Sequence, residues 1–104
     1  MSETKELTTD LFKGFNTTDP DELLAGLMRL FNTINKARDE GKELQQVASI
    51  LQTAQFVKAS NPSLGARMDV IIQACVNKLS HAYSQYSSLN GWVKPILDAH
   101  SRKR

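Results

Sequence analysis

From Leu7 to Tyr86 the apolar residues of this chain recur every three or four positions, the spacing of one helical face, and no run alternates convincingly with the two-residue period of a strand. Helices this short do not persist alone in water, so each apolar stripe must be buried against another. In 104 residues one domain is expected, with an all-α fold: an antiparallel four-helix bundle and a C-terminal tail packed on it.

The spacing predicts helices near 3–15, 20–39, 42–59 and 62–87, followed by a C-terminal segment over 89–104. Leu7, Leu11, Phe12 and Phe15 form the first stripe. The second segment has the clearest start, with Asp19 as cap, Pro20 in the first helical position and Glu22 where a capping box places an acid. Its row of Leu23, Leu27, Leu30 and Ile34 is widened by Leu24, Met28 and Phe31, which predicts neighbours on more than one side. Gly26 costs about 1 kcal/mol relative to Ala within a helix, and close packing explains it. Gly41 reads as the stop.

In the third segment Leu44, Val47, Leu51, Ala54 and Val57 form a narrow seam, with Ile50 and Phe56 off its centre. Asn61 and Pro62 then read as cap and first position of the fourth segment, whose row is Leu64, Met68, Ile71, Cys75, Leu79, Ala82 and Tyr86. Leu89-Asn90-Gly91-Trp92 reads as a turn in which Asn-Gly readily takes positive φ. Beyond it Val93, Ile96 and Leu97 are apolar and Pro95 interrupts, so a short helix and an extended strip both fit. Either has reason to dock.

Residues equipped for covalent chemistry are few and scattered. Cys75, the single cysteine, permits no internal disulfide and stands on the apolar row. His81, six positions on, points about 120° away from it. No paired Cys or His spacing suits a metal, and the five glycines form no phosphate-cradling cluster. Ser84 to Ser88 carries no nucleophile elbow. An enzyme is not expected, nor is a cofactor. A helix-turn-helix reading fails because its recognition helix would carry Val70, Ile71, Ile72, Ala74, Cys75 and Val76, leaving little polar face for base edges, so no nucleic-acid partner is expected.

The net charge of +2 selects no partner class, though Arg102, Lys103 and Arg104 end the chain. Such a tail is either solvated or drawn weakly to an anionic membrane surface. The polar N-terminus lacks the apolar core of a signal peptide, and no apolar run is long enough to span a bilayer, so a cytoplasmic location is expected. Trp92 clamps the tail to the bundle, anchors a partner or membrane interface, or does both.

Several stretches together resemble a known family. Glu6 to Leu11 opens a first helix; Asp19-Pro20 with Leu23-Leu24 and Leu27 opens the second; and Lys36 to Glu43 makes a helix end bearing lysine and acids. Gln55 to Asn61 precedes a fourth apolar helix, and Leu89-Asn90-Gly91-Trp92 follows it. This layout, over most of residues 6 to 92, is similar to the immunity proteins against pediocin-like (class IIa) bacteriocins, especially the enterocin A type; Val93 to Arg104 departs most from it.

The resemblance implies an antiparallel four-helix bundle that protects the producer cell. Such a protein binds free bacteriocin weakly and acts from the cytoplasmic side on the mannose phosphotransferase permease with bacteriocin bound, blocking leakage through the pore. Part of it would be peripheral at the inner face of the membrane, and a monomer rather than a dimer is expected. In such families the C-terminal half decides which bacteriocin is resisted. Carried onto this chain, that makes Tyr83, Tyr86, Asn90, Trp92, Lys94 and Arg102 the candidate partner-binding residues. The alternative is a regulatory or chaperone-like bundle that binds a soluble protein.

Overall fold

The computed structural model describes residues 11–16, 19–38, 41–85 and 91–102. The chain is an all-α bundle: among the described residues there are four α-helices and no strand. Three of them answer to the second, third and fourth helices that periodicity predicts. Most of the predicted first helix lies outside the described residues; Leu11 is helical, and a 3-10 turn follows at Lys13–Asn16. The remaining described helix is formed by the C-terminal segment.

Helix α1 spans Pro20–Lys36 and begins as its sequence requires. Asp19 is extended, and its Oδ1 accepts the backbone N–H of Asp21 at 3.0 Å. Pro20 takes a first-turn position that needs no N–H donor, with Asp21 and Glu22 at the positive helix end. The helix ends before residue 39 because Ala37 turns to an extended conformation, φ −63° and ψ 134°. Any residue adopts that conformation, so no glycine stop is needed. Gly41 instead opens α2, Gly41–Ser60. The connection is tied by Glu43, whose Oε2 accepts the N–H of Arg38 at 2.8 Å.

At the end of α2 the N–H of Asn61 still donates to the carbonyl of Val57. Pro62–Leu64 then makes one 3-10 turn before α3, Gly65–Gln85. The Asn61 side chain does not cap a backbone N–H; its Oδ1 accepts the Ser63 hydroxyl at 2.6 Å. The result is an antiparallel hairpin, across which Lys58 Nζ donates to Asp69 Oδ1 at 2.6 Å. This half-exposed pair reports the geometry more than it stabilises it.

The α2–α3 hairpin is the spine. Helix α1 packs on it, running antiparallel to α2. Thr33 and Ala37 at its end adjoin Glu43 and Gln46, and Gly26 near its start meets Phe15, which adjoins Phe56 and Leu64. The tail forms a short helix, α4, Val93–Arg102, packed on α3 and reaching the Leu51–Gln55 stretch of α2 with Ile96 and Ala99. Pro95 is accommodated because it lies in the first turn. Gly91 lies outside the left-handed region expected of an Asn-Gly turn, and a Cβ there would meet nothing.

Every described member of the α3 row is buried: Leu64, Met68, Ile71, Cys75, Leu79 and Ala82. On α2 the seam is wider than its sequence spacing indicates. Ile50, off the seam's centre, is fully buried, whereas Phe56 is 70% exposed. Ile50 lies on the same flank of α2 as Glu43 and Gln46, the flank that α1 covers, whereas Phe56 lies about 120° round from it. The opposite correction applies to α1. Leu23, Leu30 and Ile34 are buried, but Leu24 and Met28 are 57% and 58% exposed, because α1 meets the hairpin with one face only. Gly26 is explained by close approach: a Cβ there would stand 3.2 Å from the Phe15 ring.

Replacing Ile50 with Ala should lower unfolding free energy by about 2–5 kcal/mol. Phe56→Ser should change it by about 0.5 kcal/mol or less. Urea denaturation of the two variants checks the orientation of α2; equal effects would mean that α2 is rotated from the position described.

Candidate partner-binding surface

Of the residues expected to meet a partner, Tyr83, Trp92 and Lys94 have described side chains, the first at the end of α3 and the other two where the chain returns as α4. Tyr83 lies on the last turn of α3, half-buried and packed against the core. Trp92 stands just before α4, also half-buried on the core, so it clamps the tail while leaving part of its ring accessible. The clamp is completed by Val93, which is fully buried, and by Ile96 and Leu97, which are half-buried. Lys94 faces outward, and its Nζ donates to Asp98 Oδ2 at 3.1 Å, an i,i+4 pair about half-exposed on both sides. Tyr86 and Asn90 lie outside the described residues. Arg102 ends α4, and its side chain is likewise outside them.

Spacing explains this surface. Val93, Ile96 and Leu97 fall on one stripe of α4 and turn it onto the hairpin, which leaves Lys94 and Ser101 outward. A shallow cavity of about 210 Å³ remains between α4 and α2, lined by Gln52, Gln55, Ile96 and His100 among others.

A second feature was not assigned from sequence. The 3-10 turn, the end of α2 and Leu64 enclose an apolar groove of about 370 Å³, lined by Phe12, Phe15, Phe56 and Val57 among others. Its sequence signal is Phe56, which breaks from the α2 seam.

Cys75 is fully buried, and burial pushes its thiol from 9.0 up to about 12. The thiol is therefore protonated at neutral pH and cannot serve as a ready nucleophile. Exposed His81 lies on a different face of α3. Among the described residues no three His, Cys, Asp or Glu side chains are grouped to hold a metal ion, and no helix is long and apolar enough to cross a membrane.

Cys75 should resist thiol reagents in the native protein and react after unfolding. Its folded pKa is raised, so its contribution to stability is intact below pH 9.0 and is lost as pH rises toward about 12. Across that window the native chain should lose roughly 1.4 kcal/mol per pH unit more than Cys75→Ala, read from urea midpoints.

Comparisons with protein-family models, with curated proteins and with solved structures found no match.

Proposed function

We propose that this chain is an immunity protein against a pediocin-like bacteriocin. It binds the bacteriocin-engaged mannose phosphotransferase permease from the cytoplasmic side and holds that complex so that its pore does not leak. Support comes from the likeness in layout over residues 6 to 92 and from the all-α bundle that the likeness implies. The observation that carries the reading is the return of the Trp92-bearing segment onto the hairpin. The docked C-terminal helix holds half-buried Trp92 and exposed Lys94 on the hairpin, whose helix α3 carries half-buried Tyr83 on its last turn. Aromatic side chains with part of their area already ordered lose little entropy when they bind.

The test is expression in a bacteriocin-sensitive strain, challenged with a panel of class IIa bacteriocins. Protection against one or a few members is expected. Lys94→Glu, at an exposed position, should reduce that protection without changing the melting temperature. Trp92→Ala should remove it at a binding cost of about 2 kcal/mol, together with a measurable loss of stability, since the ring is half-buried. Absence of protection by abundant, folded protein against every member would sink the proposal.

The groove beside Phe56 favours a second reading, a regulatory or chaperone-like bundle that binds a soluble protein. Gene context separates the two, because an immunity gene should neighbour a small secreted precursor with a double-glycine leader. Loss of partner capture by Phe56→Ser, without any bacteriocin phenotype, would favour the soluble partner.

A further inference from the structure

Helix α4 is the least secured of the four described α-helices. Among its described side chains Val93 alone is buried, with Ile96 and Leu97 half-buried. Helix α1, by contrast, buries Leu23, Leu30 and Ile34. Helix α4 packs on α3 and stands off from α2. The cavity of about 210 Å³ between α4 and α2 has Gln52 and Gln55 on its α2 side. Pro95 and Ala99, on its α4 side, remain exposed.

The α3 flank beneath α4 is apolar. On α2, Gln52 and Gln55 lie about 40–100° round from Leu51, on the side away from Glu43 and Gln46, which α1 adjoins. In an antiparallel pair, residues turned in the same sense from the shared seam fall on the same side. Ile72, Val76 and Tyr83 lie about 60–100° round from Cys75 in that sense, which brings them under α4. Ile72 is buried, and Val76 and Tyr83 are half-buried against the core.

An element with few buried apolar contacts is the part of a fold that opens first, and ten residues do not hold a helix without tertiary support. The rest of the core keeps its own contacts when α4 leaves. Leu30, Ile34, Val47, Leu51, Ile71 and Cys75 belong to α1, α2 and α3 and have almost no accessible surface. The occupant seen in the structure also defines what fits the uncovered flank: a helix with apolar residues at i, i+3 and i+4, as Val93, Ile96 and Leu97 are.

We propose that α4 is a releasable strap. It leaves the hairpin as a unit while α1, α2 and α3 stay folded, and the uncovered flank of Ile72, Val76 and Tyr83 takes an amphipathic helix from a protein partner in its place. Such a partner competes with α4 for one flank. This does not rest on the permease reading, which concerns the docked form.

Two native probes separate the events. Trp92, the single tryptophan, reports docking of α4, and the buried Cys75 thiol reports the hairpin core. In a urea titration of the full chain, Trp92 fluorescence should change before the far-UV helical signal is lost and while Cys75 still resists thiol reagents. A labelled peptide with the sequence of residues 91–102 then serves as the partner helix, its capture read by anisotropy. Val93→Ser with Leu97→Ser loosens the strap in the full chain. That variant should capture the peptide about tenfold more tightly than the native chain, because apparent affinity scales with the open fraction. A control peptide with Ser at the positions of Val93, Ile96 and Leu97 should not be captured. If the double variant loses its helical signal, Leu97→Ala decides. The proposal is overturned if Trp92, the helical signal and Cys75 report one coincident transition, or if loosening α4 leaves capture unchanged.

Discussion

The packing of α2 against α3 is the interaction on which the rest depends. Leu44, Val47, Leu51 and Ala54 on one helix and Met68, Ile71, Cys75 and Leu79 on the other are almost completely removed from water. Burial of a large apolar side chain contributes about 1.5–3 kcal/mol, while ordering each residue's backbone costs about 1–2 kcal/mol. Neither helix recovers that cost alone. The small residues Ala54, Cys75 and Ala82 have no accessible surface, which is consistent with a close approach of the two backbones there. The same dryness that makes this seam stabilising also keeps the Cys75 thiol protonated.

The two flanks of the hairpin then receive one helix each, by different means. Helix α1 brings a broad apolar row and a well-formed start, with Asp19 and Pro20 setting its first turn and Phe15 closing over Gly26. Helix α4 is only ten residues long, too short to be stable alone. It is held by Val93 at its first position and by Trp92, Ile96 and Leu97 beside it. Its order is therefore borrowed from the hairpin, and a surface built on it is as rigid as that docking.

Exposed apolar side chains fall in separate regions of the molecule. The α4 region offers aromatics that are partly committed to packing, with a charged residue at the rim. Leu24 and Met28 protrude from α1 and Val70 from α3, and Phe56 stands by a groove at the end of α2. These regions stay separate because the core is supplied by the central stripes alone.

Periodicity alone determined the helical class, the α3 row from Leu64 to Ala82, the start of α1 and the docking of the tail. Those features follow from local rules: which residues share a face, which can cap, and where proline is tolerated. Tertiary structure decided what periodicity leaves open. Ile50 and Leu24 both sit beside an apolar row, yet one is fully buried and the other more than half exposed. The difference is whether a neighbouring helix covers that flank, and no residue's own chemistry states it. Likewise α1 ends at Lys36 because Ala37 turns extended and Glu43 ties the next segment to Arg38, a contact between two elements that glycine counting does not anticipate. The candidate surface was legible in its residue types, in Trp92 and Lys94; its placement, with Tyr83 and Trp92 half-committed to the core, required the fold.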